Sequence, residues 1–319
     1  MQIGIGLPNQ VRDVTASTIP RWAGRAEEAG FSTLATTGRY AYPGVSDTVA
    51  LAAAAGATTT IGLLSAVLLA PTWPGALLAK EIAGIDGVSG GRLTLGVGVG
   101  SREDEFTVPG HDLHGRGARL EADLAIYREV WGGAPAGNGP YPAVPSGTRQ
   151  VPMLFGGYSA RALDRMVRWG EGYIGGSLPS AMTAPSFEAA KRAWREAGRQ
   201  GAPKLVVLAY FALGDTETGR ANIQDFYLQA PRDIATKRGA LHHPKNDQES
   251  YRGLHRPRSR RDHLRSRHRR PRRGHPARRH RHLNGRAGAC GLVRRSPPPA
   301  LEPGAPLVRT RVYAAGSGA

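Results

Sequence analysis

Two glycine-rich stretches could bring bare backbone up to a ligand. In Gly96-Val-Gly-Val-Gly100, followed by Ser101-Arg-Glu-Asp-Glu-Phe106, glycine recurs at every second position. On an extended strand such positions share one face, so that face carries no side chains. A flat ring system could lie against it, or the gaps could relieve crowding inside a closed sheet. No helix opens at the third glycine, so the run is not a dinucleotide-binding fingerprint. The second stretch, Gly156-Gly-Tyr-Ser-Ala160, leads straight into a helical segment at Arg161–Trp169. Free N–H groups at a helix start attract anions, and glycine lets a phosphate approach closely. Ser159 is then either a helix N-cap or a direct phosphate ligand.

The remaining reactive side chains are scattered. His111 and His114 flank Asp112 in Pro109-Gly-His-Asp-Leu-His114. Three such groups are too few for a structural zinc site, so no metal is expected. His111 stays a candidate for contact with a substrate or ring. Arg116, Arg119 and Glu121 read as an ion network at a helix start. The chain has one Cys, which excludes an internal disulfide framework.

Seven apolar runs have the length and composition of strands: Ile3–Leu7, Ser32–Thr36, Thr60–Leu69, Leu93–Val99, Val151–Phe155, Gly172–Gly175 and Leu205–Leu213. Several are apolar at consecutive positions, as strands covered on both faces must be. Helical periods lie between them. Leu78, Ile82 and Ile85 make one stripe, Leu120, Leu124, Tyr127 and Trp131 another, and Phe187, Ala190, Trp194 and Ala197 a third. Strand–helix alternation predicts a parallel sheet wrapped by helices, either open or closed as a (β/α)8 barrel. The early first strand and the count of seven favour the barrel, with an eighth unit due after residue 230. Both glycine stretches then follow strands, on the face where barrels carry their sites.

The charge is concentrated at one end. The net charge of +18 divides into +1 over residues 1–250 (24 basic, 23 acidic) and +17 over 251–319 (19 basic, 2 acidic). All 19 of those basic residues are Arg. Such composition predicts disorder. It has two readings: a basic arm that binds nucleic-acid phosphates nonspecifically, or a shifted reading frame in GC-rich DNA. The absence of Lys favours the second. The expected division is a barrel domain over 1–240 and a basic low-complexity tail over 241–319. The longest apolar run, Ile61 to Pro71, is too short to cross a bilayer, and the first residues lack a basic region and an apolar core, so a cytoplasmic protein is expected.

The segments Asp86-Gly-Val-Ser-Gly-Gly-Arg92, Leu93-Thr-Leu-Gly-Val-Gly-Val-Gly100, Ala26-Glu-Glu-Ala-Gly-Phe31, Leu68-Leu-Ala-Pro71 and Val151-Pro-Met-Leu-Phe-Gly-Gly157, in this order and spacing, resemble the bacterial luciferase-like flavin and deazaflavin oxidoreductases. The likeness runs from residue 2 to about 230. It implies a TIM barrel here lacking its eighth unit, and coenzyme F-420 or FMN at its C-terminal face. Val99, Gly100 and Ser101 would line the ring and ribityl side, and Gly156, Gly157, Tyr158 and Ser159 would hold the phosphate. A non-prolyl cis peptide under the ring would fall at Ala66–Val67. Many deazaflavin members carry an acid followed by His after the second strand, where this chain has Gly38 and Arg39. Arg39, with Tyr40 and Tyr42, could bind an acidic or aromatic substrate, or Arg39 could simply pair with a carboxylate. The expected activity is hydride transfer with F-420 or monooxygenation with reduced FMN on a small organic substrate, in a possible homodimer. The alternatives are a degraded non-catalytic barrel and a basic-tailed nucleic-acid binder.

Overall fold

The computed structural model describes residues 2–213 and 216–228, together with the backbone of Leu307–Ala314. In chain order the elements are β1 (Gln2–Gly6), α1 (Thr18–Glu28), β2 (Thr33–Thr36), α2 (Asp47–Ala57), β3 (Gly62–Ser65), β4 (Leu68–Leu69), a 3-10 turn (Ala70–Thr72), α3 (Gly75–Val88) and β5 (Leu93–Gly98). A one-turn helix α4 (Asp104–Thr107) precedes α5 (Arg116–Trp131), β6 (Met153–Gly156), α6 (Ala160–Trp169), β7 (Gly172–Ile174), α7 (Ser180–Glu196), β8 (Lys204–Leu213), α8 (Thr216–Phe226) and β9 (Leu307–Ala314).

All seven expected strands are present within two residues of their expected bounds, except that the third is cut short at its start and divided. The break between β3 and β4 falls at a cis peptide between Ala66 and Val67. β1, β2, β3, β5, β6, β7 and β8 pair side by side and parallel.

The eighth place in the sheet corrects one expectation. A barrel lacking its eighth unit would leave the seventh and first strands with open edges. Instead β9 lies antiparallel between them. It pairs Gln2–Ile5 of β1 with Ala314–Arg311, and Val206–Leu213 of β8 with Ala314–Leu307. With β3 bonded to β5, the ring closes. The run Leu307-Val-Arg-Thr-Arg-Val-Tyr-Ala314 is β-branched and aromatic enough to form a strand, a signal masked by the Arg-rich residues around it. The rest of the tail, 241–306 and 315–319, and with it the question of disorder, lies outside the described residues.

Side chains alternate in and out along each strand. Leu34, Leu63, Leu93, Leu95, Phe155, Tyr173 and Val207 join the helices in the larger core, while Ala35, Leu64, Leu154, Ile174, Val206 and Leu208 form a smaller separate cluster within the ring. The three helical stripes are buried in α3, α5 and α7, apart from Ala197, which caps α7 and is exposed. Indole N–H groups pin two helices: Trp22 donates to Gly6 O at 3.1 Å and Trp131 to Ala79 O at 2.9 Å.

Candidate functional site

The C-terminal ends of the parallel strands form the mouth of the barrel. The glycine run of β5 is decided by what faces it. A methyl group on Gly96 would overlap Ser65 O, and one on Gly98 would come within 2.6 Å of Val67 Cγ2. Relief of crowding is therefore what these two glycines provide, because the β3–β4 break leans into the bare face. Gly100 adopts a left-handed φ of 71° and sits against Phe106 and Leu69. Arg116 Nε ties down its carbonyl at 2.9 Å. Val99 is half-buried beside it and Ser101 is exposed. Ala66 is buried and Val67 half-buried, with Val67 Cγ1 against Gly156.

Across the mouth, Gly157 turns the chain at φ 130° into α6. Ser159 is the N-cap, its Oγ accepting from Ala162 N at 3.3 Å. Tyr173 donates to Gly157 O at 2.8 Å, and Tyr158, itself exposed, donates to Gly175 O at 3.2 Å. The turn is thus braced from β7.

Arg39 takes the pairing alternative. Its Nε donates to Glu105 Oε1 at 2.8 Å, Nη2 to Asp104 Oδ2 at 3.0 Å and Nη1 to Phe226 O at 3.0 Å. With all three nitrogens engaged and the side chain 5% exposed, it braces the mouth rather than reaching for an anion. Glu105, also buried, accepts from Tyr40 N as well. Phe226 and Tyr227 at the end of α8 pack under Arg39 and Arg102 and cover one side of the mouth. Tyr42 lies edge-on to Phe226 and donates to Asp225 at 2.8 Å; burial and this carboxylate push its phenol up to about 12.

His111 is half-buried and its backbone N–H bonds Phe106 O, while His114 is exposed and paired with Asp112. Arg116, Arg119 and Glu121 do not pair with one another. Arg119 holds Pro71 O, and Glu121 pairs with Arg165 of α6.

A cleft of about 250 Å³ opens beside β4, lined by Gly38, Tyr40, Asp47, Leu69, Trp73 and Glu105 among others. Asp47 was not legible from the sequence; it reads there as an ordinary first-turn acid of α2. Its burial raises the carboxyl to about 6; Glu105 adds to the rise, while the Thr36 hydroxyl acts the other way. Three buried polar atoms around the ends of β1 and β2, Asn9 Oδ1, Gln10 Oε1 and Asp47 Oδ1, have no partner among the described residues, while the Thr36 hydroxyl turns to the Asp47 carboxyl. Buried groups of this kind normally find partners, so a polar ligand edge fits here. A cleft of similar size, about 230 Å³, lies at the opposite end of the barrel among Arg128, Arg168, Trp169 and Arg199. Its arginines mostly bond helix-end carbonyls, as Arg128 does to Trp169 O and Arg199 to Gly170 O.

The comparisons agree with this architecture. The model of the luciferase-like monooxygenase family matches residues 1–292, and the chain belongs to that family. Among curated relatives, an uncharacterized protein of Mycobacterium tuberculosis (strain ATCC 25618 / H37Rv) is 28% identical over 213 residues, covering 58% of this chain and 74% of that one. Among solved structures, the monooxygenase RslO1 of Streptomyces bottropensis superposes with a TM-score of 0.59 at 21% identity, over 78% of this chain and 82% of that one. The FMN-bound oxygenating constituent of 3,6-diketocamphane monooxygenase from Pseudomonas putida gives 0.55 at 18% identity, over 62% and 63%. The coenzyme F-420-dependent tetrahydromethanopterin reductase of Methanopyrus kandleri gives 0.52 at 19%, over 80% and 83%. These likenesses establish the fold. No helix among the described residues is long and apolar enough to cross a membrane.

Proposed function

We propose that this chain is an oxidoreductase that binds FMN or coenzyme F-420 at the barrel mouth and acts on a small organic substrate in the adjoining cleft. The observation that carries the reading is the set of orphaned polar atoms at the ends of β1 and β2, next to a cleft lined by Leu69 and Trp73. When bound, the cofactor would supply the two-electron or oxygen chemistry that amino acids lack. Gly156, Gly157, Tyr158 and Ser159 would hold its phosphate at the start of α6. Val99, Gly100 and Ser101 would lie along the ring and ribityl side, with Ala66 and Val67 beneath. Trp73 and Leu69 would exclude water from the substrate, while Arg39 and Glu105 keep the wall rigid.

Fluorescence titration with FMN, riboflavin and F-420 tests this. Riboflavin is FMN without the phosphate, so it probes the α6 turn without altering Gly157, whose left-handed backbone any side chain would strain. FMN should bind at least about tenfold more tightly than riboflavin, since charge-assisted hydrogen bonds to phosphate contribute about 1.5–3 kcal/mol each. Equal affinities would place the phosphate elsewhere, and no binding of FMN or F-420 would refute the reading.

A further inference from the structure

We propose that Asp47 is the proton donor of this site, an acid delivered from the first turn of α2 to the place beside Gly38, where it protonates an oxygen of the bound substrate. The proposal rests on the oxidoreductase reading above. It adds a residue and a substrate class, carbonyl compounds whose oxygen becomes basic on reduction.

The geometry is specific. The loop after β2 carries no acid of its own, since positions 38 and 39 are Gly and Arg. Yet a methyl group on Gly38 would overlap the Asp47 carboxylate. The volume that a side chain at 38 would need is already filled by an acid from nine residues further on. Asp47 lines the same cleft as Trp73 and Leu69, and its Oδ1 is shielded from solvent with no partner among the described residues.

The groups facing it come from two other elements. Glu105 of α4 is negative, and Arg39, on the loop after β2, is positive but bound to Glu105 and Asp104. Asp47 thus has a negative neighbour and, among the described residues, no arginine paired with it, so its neutral form persists to higher pH than that of an ordinary carboxyl. The first turn of α2 and the Thr36 hydroxyl favour the carboxylate, and burial outweighs them. In the step itself the Asp47 O–H bond breaks and its electron pair stays on the carboxylate. A new O–H bond forms on the substrate oxygen, left negative once the carbonyl carbon has accepted a hydride from reduced flavin or deazaflavin. The carbonyl would become an alcohol, with its two electrons supplied as hydride by a reduced flavin or deazaflavin, and the Asp47 carboxylate would regain its proton from solvent through the cleft.

The test combines a carboxyl titration with turnover. In protein labelled with 13C at the Asp carboxyls, wild type should show a resonance titrating near pH 6 that is absent from Asp47→Asn. With small aldehydes and ketones as probes and reduced cofactor supplied, Asp47→Asn should lower turnover by about 100-fold or more, the usual range for a lost general acid. It should also erase the inflection near pH 6, while affinity for FMN and F-420 stays within about threefold. Gly38→Ala, which displaces the carboxylate without removing it, should keep the wild-type circular dichroism and move that inflection. An Asp47 resonance in the ordinary carboxylate range, or an unchanged inflection in Asp47→Asn, overturns the donor role while leaving cofactor binding intact. Failure of the wild type to bind either cofactor overturns the oxidoreductase reading and the donor role with it.

Discussion

Gly38 and Asp47 illustrate the limit of linear reading at the scale of single residues. Nothing in a spacing of nine says that one occupies the space of the other; it follows from how the loop after β2 returns to start α2. The glycines of β5 were visible as a pattern, but their reason was not, because the neighbour that crowds them is Val67 on another strand. Arg39 was visible as a charge, and its partners Glu105 and Asp104 lie more than sixty residues away. The buried acid also has a thermodynamic signature. Its folded pKa, about 6, lies above the ordinary 3.8, so the unfolded chain releases this proton first as pH rises. Asp47 therefore favours the native state least above pH 6. We expect the melting midpoint of Asp47→Asn to gain on wild type by a few degrees between pH 4 and 6 and to stay constant above it. Calorimetry across that range checks the prediction, and parallel curves would refute it.

Between elements, side chains close gaps between backbone ends. Arg92 donates to carbonyls of Ala55, Thr58 and Ile61, joining the end of α2 to the start of β3. Glu27 reaches from α1 to the same junction and accepts N–H bonds from Thr59, Thr60 and Ile61. Its slight burial acts upward, but these three donors together bring its pKa down to about 2. A depressed carboxylate stabilises the native state above its unfolded value, about 4.5, and that contribution is lost as pH falls toward 2. Glu27→Gln should lower the midpoint at pH 7 by a few degrees and flatten its decline between pH 4.5 and 2. Thermal melts at pH 7, 4 and 2.5 measure both effects. The elements themselves were largely legible, since consecutive apolar runs and 3.6-residue stripes mark them directly. The division of the third strand was not. Thr60–Leu69 reads as one continuous apolar run, and no residue type in it marks the turn at Ala66–Val67.

For the whole molecule the decisive element is β9. It supplies the pairing that the ends of β1 and β8 need, from a region whose composition argues against any regular structure. Periodicity fails as a guide there because eight strand-forming residues sit among arginines and prolines. Removing residues 307–319 should expose both edges, which template aggregation. At about 1 kcal/mol net for each ladder hydrogen bond, the midpoint should fall by about 10 °C or more. Light scattering and calorimetry on the shortened chain test this; a monodisperse protein with an unchanged midpoint would show that β9 is dispensable. The direction of β9 carries one more consequence. Leu307 pairs with Leu213 at the mouth, and Ala314 with Gln2 at the opposite end. A parallel eighth strand would have needed a crossover from one rim to the other; an antiparallel one begins on the rim where α8 ends. The end of α8 and Leu307 therefore lie on the same rim, and the covalent connection between them is a tether for β9. While the tether is whole, β9 is held at the high local concentration of an intramolecular partner. A single proteolytic cut within it would turn the last strand into a separate peptide, and closure of the barrel would then depend on dilution.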